Sequence, residues 1–261
     1  MPEFHLHERI LNFAVYTGEF MLKSGAETYR VEDTITRILE VHKYRNVDTF
    51  VIPTGIMVTI NDDSFAMITK VVRVKHRSTR LDRIELINQL SRDYVDGKLD
   101  LPTAEARLEE LKNMPSCYSS QTVIFWIGVS CAFFSIMFKG NLLDFFLSFF
   151  VGAGVGFLQS LLGKKGLVNF FNLFLCSIFI GFAVSLCHFL FMDKVNVESM
   201  VIGCIMPLLP GVAFTTAVRD AIGDELLSGI SRGVEALLVA VAIASGVGVS
   251  LGLSYWLGGL L

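Results

Sequence analysis

Five apolar stretches, roughly 119–138, 141–162, 167–191, 197–218 and 231–260, dominate the second half of this chain. About 20 mostly apolar residues suffice for a helix to cross the hydrocarbon core of a bilayer, so the sequence predicts five membrane spans. Only 18% of the 261 residues are charged, against about 25% in an average soluble domain. The shortage is confined to one side of Tyr118. Residues 1–118 carry 16 Lys/Arg and 18 Asp/Glu, whereas residues 119–261 carry 6 and 7. The expected organisation is therefore a charged domain over 1–118 followed by a transmembrane helical domain over 119–261.

Several classes drop out. A net charge of −3 without a run of Lys/Arg gives no footprint for nucleic acid. The first 25 residues hold Glu3, Glu8, Glu19 and Lys23 and lack the apolar core of a secretory signal peptide, so insertion is expected to be directed by the later helices. The cysteines Cys117, Cys131, Cys176, Cys187 and Cys204 form no CxxC pair and read as reduced packing residues. No metal or cofactor is expected.

In the charged half, Leu6, Ile10, Phe13, Ala14 and Met21 recur on one helical face, and Val31, Ile35, Ile38 and Leu39 form a second stripe. Gly25 between them can end the first helix in the left-handed conformation, and Ser24 with Glu27 has capping-box spacing for the next. Glu27, Arg30, Glu32 and Asp33 are then expected on the first exposed turn. Three strands follow, Val47–Ile52, Ile56–Ile60 and Phe65–Val74, broken at Pro53-Thr54-Gly55 and at Asn61-Asp62-Asp63-Ser64. Helical spacing returns at Leu81, Ile84, Ile87, Leu90 and Tyr94, and after Pro102 at Ala104, Leu108 and Leu111. The prediction is an α+β domain. Its histidines, His5, His7, His42 and His76, are scattered, with no HExxH, GxSxG or phosphate loop. The acids around Glu27 and Glu32 read as helix-surface charges, and the domain as regulatory or gating rather than enzymatic.

In the apolar half, the connections carry Lys139, then Lys164-Lys165, then Lys194, then Arg219 and Arg232. If the charged domain is cytoplasmic, the loops with two basic residues are cytoplasmic too. The positive-inside rule then favours an N-terminus inside and a C-terminus outside. Gly152, Gly154 and Gly156 in the second span, and Gly246, Gly248 and Gly252 in the fifth, predict close helix neighbours.

The segment Met206-Pro207-Leu208-Leu209-Pro210-Gly211 predicts a break in the fourth span, because each proline removes a helix hydrogen bond and Pro-Gly favours a turn. A half-helix restarting near Gly211 presents the positive end of its dipole, a device by which transporters hold a carboxylate. Thr215, Thr216, Arg219 and Asp220 follow within three turns. The plainer reading is a kink that shapes the bundle, with Arg219 and Asp220 interfacial. Asn169 and Asn172, three apart, are candidates for a cavity lining or an interhelical hydrogen bond. Asp144 and Glu235 lie one turn into their helices and can reach headgroups, pair locally, or titrate in a coupled cycle. Ser130, Cys131 and His188 lack the spacing of an intramembrane enzyme site.

Four segments carry a resemblance: Met21-Leu22-Lys23-Ser24-Gly25-Ala26-Glu27-Thr28-Tyr29-Arg30-Val31-Glu32, Pro53-Thr54-Gly55-Ile56, Gly128-Val129-Ser130-Cys131-Ala132, and Pro210-Gly211-Val212 through Arg219-Asp220. In this order they resemble the threonine/serine exporter (ThrE) family. The resemblance implies an α-helical integral membrane protein of a prokaryotic cytoplasmic membrane, with about five transmembrane helices, one broken at Pro-Gly, and an N-terminal cytoplasmic α+β domain. Full-length members have about ten helices, so the chain resembles the front portion, as in two-component members. That implies a separate small membrane protein as partner, supplying the second half, and leaves room for a higher homo- or hetero-oligomer.

The resemblance further implies export of small carboxylate metabolites, threonine and serine or dicarboxylates such as succinate. Pro210, Gly211, Thr215, Thr216, Arg219, Asp220, Asn169 and Asn172 are then substrate-binding candidates. Glu27, Arg30, Glu32, Asp144 and Glu235 are gating or coupling candidates. A departing dianion gains about 2.3 kcal/mol per charge per 100 mV with the interior negative, and a zwitterion gains nothing. The competing reading is a membrane-anchored metabolite sensor without transport of its own.

Overall fold

Gly25 ends the first helix in the left-handed region, with φ +91. The amide of Ala26 donates to the carbonyl of Met21 at 3.1 Å and that of Gly25 to Leu22 at 3.1 Å, the paired bonds of a Schellman stop. This turn separates α1 (Pro2–Lys23) from α2 (Thr28–Glu40) in a computed structural model that describes residues 2–63, 65–75, 77–115 and 118–258. Ser64, His76, Cys117 and the last two residues of the fifth expected span lie outside the described residues. The expected capping box does not form. Glu27 itself is the N-cap of α2 and makes no side-chain cap bond, so Ser24 lies a turn too early.

The chain divides into two compact units, residues 1–115 with 215–233, and residues 116–214 with 234–261. In the first, Ile10, Phe13, Ala14 and Met21 of α1 and Val31, Ile35, Ile38 and Leu39 of α2 are buried, as their spacing predicts. Leu6 departs from its stripe and is 47% exposed, one turn before the core begins. Strands β1 (Asn46–Ile52), β2 (Gly55–Asp62) and β3 (Phe65–Arg73) form an antiparallel meander. Pro53-Thr54 closes the first hairpin, with Ile52 opposite Gly55. Val51, Ile56, Val58 and Ile60 face the same core as the helices. Helices α3 (Leu81–Val95) and α4 (Leu101–Asn113) complete it, with Asp100 capping α4 by accepting the Thr103 amide at 3.2 Å.

The second unit contains α5 (Ser120–Met137), α6 (Leu142–Lys164), α7 (Asn169–Phe191) and α8 (Val197–Ile205). It also takes the first residues of α9 (Gly211–Ile222) and most of α10 (Leu226–Gly258). Four helices are long and apolar enough to cross a membrane, and a bent pair, Val197–Leu208 with Gly211–Ile222, makes a fifth crossing if it counts as one span. The bend is 58°, at the two prolines. Helix α10 starts before the expected 231 and has 33 residues. At 1.5 Å per residue it is about 50 Å long, well beyond a hydrocarbon core of about 30 Å.

Small residues set the spacing of this bundle. A Cβ on Gly152 of α6 would fall 2.7 Å from the Cβ of Cys131 on α5, and one on Gly246 of α10 would fall 2.6 Å from the Phe174 carbonyl of α7. Gly248 and Gly252 face open space instead. The outer surface is large and apolar, with Phe133, Phe150 and Phe189 each more than 60% exposed. We expect Gly152→Val to push α5 from α6 and cost about 1–3 kcal/mol, the usual range for overpacking. A matched Gly248→Val should change the thermal midpoint of the detergent-solubilised protein far less.

Candidate functional site

The break between α8 and α9 opens a pocket of 230 Å³ in the second unit, lined by Pro207, Pro210 and Ala213 of the broken segment. Across from them stand Gln159 of α6, Asn169 of α7 and Glu235 of α10. Pro207 and Pro210 each lack an N–H, which is why the ladder cannot continue here. The helix restarts at Gly211, as the sequence predicts, and brings the positive end of its dipole to this place. Among the residues lining the pocket Glu235 is the sole ionisable one, beside two carboxamides.

Other candidates lie elsewhere. Asn172 is 7% exposed and receives the Cys176 thiol hydrogen on its own helix at 3.5 Å, a packing role. Asp144 is fully buried, but backbone amides occupy both its oxygens: Asn141 donates to Oδ2 at 2.7 Å and Asn196 to Oδ1 at 3.0 Å. The Asp144 amide in turn donates to Asn141 Oδ1 at 3.0 Å, completing a capping box. Asp144 therefore ties the start of α6 to the start of α8.

Thr215, Thr216, Arg219 and Asp220 fall in the first unit and do not line the pocket. There the signature around Gly25 meets the end of α9. Glu27, only 16% exposed at its side chain, is shared by two arginines: Arg219 Nη1 bonds Oε1, and Arg30 Nη1 lies 3.5 Å from Oε2. It is a partly buried bridge rather than an exposed surface charge. Beside it the Asp220 side chain is fully buried, and Arg232 Nε lies 3.1 Å from its Oδ2. Arg232 Nη2 also donates to the Ala26 carbonyl at 3.0 Å. Close packing at the turn between α9 and α10 makes this possible, since a Cβ on Gly229 would fall 2.9 Å from the Ala217 carbonyl.

The chain matches the ThrE family model, described as "Putative threonine/serine exporter", over residues 12–254. It belongs to the threonine/serine exporter family. It is 21% identical over 250 residues to a threonine/serine exporter of Corynebacterium glutamicum, covering 94% of this chain and 51% of that relative. A similar relative from Mycobacterium tuberculosis, named "Probable threonine/serine exporter", is 23% identical over 94% of this chain and 46% of its own length. The Escherichia coli K12 protein named "Probable succinate transporter subunit YjjP" is 22% identical over 95% of this chain and 94% of its own length. The chain thus spans about half of the two exporters and nearly all of the subunit. No solved structure matches it.

Within this exporter-family chain, the sequence shows Gln159 as a polar residue within a span without singling it out as a candidate, and it gives no sign of the links of Glu27 and Ala26 to residues 192 and 206 positions later. Glu32 also has a specific structural place: its Oε1 accepts the Val51 amide at 2.8 Å, fixing α2 to β1. Burial raises its carboxyl above the ordinary value, the Val51 amide opposes that, and Glu225 adds to the rise. The folded chain therefore binds more protons than the unfolded one between the ordinary and the raised value. Glu32's contribution to stability falls as pH rises through that window. We expect Glu32→Gln, which keeps an acceptor for Val51, to flatten this decline in urea unfolding followed from pH 4 to 7.

The Asp220–Arg232 pair gives a second test. Removing one partner of a buried ion pair strands the other and costs about 3–5 kcal/mol, whereas replacing both with apolar side chains is far milder. Asp220→Ala should accordingly destabilise more than the double variant with Arg232→Met. Equal melting of the two would show that the pair carries no such penalty.

Proposed function

We propose that the chain is one half of a secondary exporter of small carboxylate metabolites, binding its substrate in the pocket at the Pro207–Pro210 break. The observation that carries this reading is the pocket's polar lining. One carboxylate, Glu235, and two amides, Gln159 and Asn169, surround the start of α9 within otherwise apolar helices. An ionisable group at membrane depth is costly and is retained for function. A helix N-terminus favours a carboxylate, and Glu235 favours an ammonium group. The lining thus fits a zwitterionic amino acid, and with no basic side chain among the described lining residues it offers a dianion less.

In this reading the first unit is cytoplasmic and the spans run from an inside N-terminus to an outside C-terminus in a prokaryotic inner membrane, as the Lys164-Lys165 and Arg219–Arg232 loops favour. Pro210, Gly211, Asn169, Gln159 and Glu235 hold substrate. Arg219, Asp220, Glu27 and Arg232 form a gate at the end of the broken helix. A partner membrane subunit supplies further helices, a reading supported by the match to nearly the full length of a relative named a subunit. That relative also favours a second reading, in which the cargo is a dicarboxylate.

Vesicles containing this chain with its partner subunit test both. We expect labelled threonine or serine to be exported at a rate indifferent to membrane potential, and Glu235→Gln to slow it at least tenfold, the loss of one charge-assisted contact of about 1.4 kcal/mol or more. Succinate export accelerated by an inside-negative potential would support the dicarboxylate reading instead. Transport of none of these solutes, or an undiminished Glu235→Gln rate, would refute the proposed site.

A further inference from the structure

Helices α2 and α3 of the first unit share a polar groove that the transport reading does not use. Arg30, Asp33 and Arg37 recur three and four apart on α2, on the side away from the buried Val31, Ile35 and Ile38. Asn88 and Arg92 are four apart on α3 and so share a face. Two depressions of 370 and 340 Å³ run along these helices, and both are lined by Arg30, Asn88 and Arg92. Each is of the size of a small-molecule pocket, about 300–1,000 Å³.

The charges of this groove are unevenly committed. Asp33 is neutralised by Arg37 Nε at 2.8 Å and Asp96 by Lys98 Nζ at 2.8 Å, whereas Glu85, lining the smaller depression, has no ion pair among the described residues. Arg30 has only the 3.5 Å contact with Glu27, whose other oxygen belongs to Arg219. Arg92 forms no ion pair among the described residues. Two guanidinium groups with donors to spare therefore flank one carboxamide. Planar forks of this kind match a carboxylate bidentately.

We propose that this groove binds a small carboxylate, with Arg30 and Arg92 holding the carboxylate oxygens and Asn88 donating to one of them. The site is additional to the pocket at the helix break. Its purpose, though not its chemistry, rests on the exporter reading. A carboxylate held by Arg30 competes with Glu27 for that arginine and leaves Glu27 wholly to Arg219, strengthening the bond at the end of α9. A solute of the exported class then tunes the gate according to its own concentration.

Isothermal titration of the purified full chain in lipid nanodiscs tests this, with L-threonine, succinate and sulfate as probes. At least one carboxylate should bind. Arg92→Gln should weaken that binding tenfold or more without moving the ligand-free melting temperature, because Arg92 is exposed. Glu235→Gln should leave it intact. Wild-type affinity in Arg92→Gln, loss of all binding in Glu235→Gln, or sulfate binding as tightly as both carboxylates would each overturn the proposal. Failure of the exporter reading shows differently, as absent transport in vesicles with Arg92-dependent binding still present.

Discussion

The buried pair of Asp220 and Arg232, with the Ala26 carbonyl on the same guanidinium, is the constraint on which the first unit's composition depends. Residues 215–233 are far from residues 1–115 in sequence, yet they belong to one compact unit. Burying a carboxylate and a guanidinium costs several kcal/mol per ion unless each finds the other and further donors. The arginine side of the pair is satisfied through a tight α9–α10 turn, with Gly229 against Ala217, and a Schellman turn at the α1–α2 corner whose Ala26 carbonyl accepts from Arg232, while among the described residues the Asp220 oxygens have Arg232 alone. Gly25 matters for this reason. A side chain there would strain the turn that presents Ala26 and Glu27 together.

Three of the carboxylates of the apolar half, Asp144, Asp220 and Glu235, illustrate how environment assigns different work to the same chemistry. Asp144 is saturated by two backbone amides and joins two helix starts. Asp220 is fully buried beside Arg232, its one ion-pair partner among the described residues, at 3.1 Å. Glu235 faces a cavity. Of the three, Glu235 is the one that lines a cavity, and it stands with amides at the place where the helix is broken.

Much of this was legible in the sequence. The amphipathic stripes gave α1 to α4, the β-branched runs gave the three strands, and Pro207 with Pro210 and Gly211 gave the break, because each signal is local and periodic. The capping-box expectation at Ser24 failed on the helix boundary: α2 starts at Thr28 with Glu27 as its N-cap, and the Glu27 carboxylate is engaged by two arginines. Asp144 is a coupling candidate by its place in the span, although Asn141, three residues earlier, has the cap spacing that the structure uses. The joining of Glu27 to Arg219 could not be read at all. An ion pair between segments 192 positions apart leaves no periodicity, and charged residues at loop ends look alike whether they meet solvent or each other.

The same helix, α9, begins at the pocket and ends in the ion pairs, and it is only 12 residues long. A helix of that length is about 18 Å from end to end, and its intrahelical hydrogen bonds make it stiffer than the proline-bearing turn that precedes it. Rotation of α9 about its start is thus easier at Pro210 than bending within it. Any such rotation must first release Arg219 from Glu27 or carry Asp220 with Arg232.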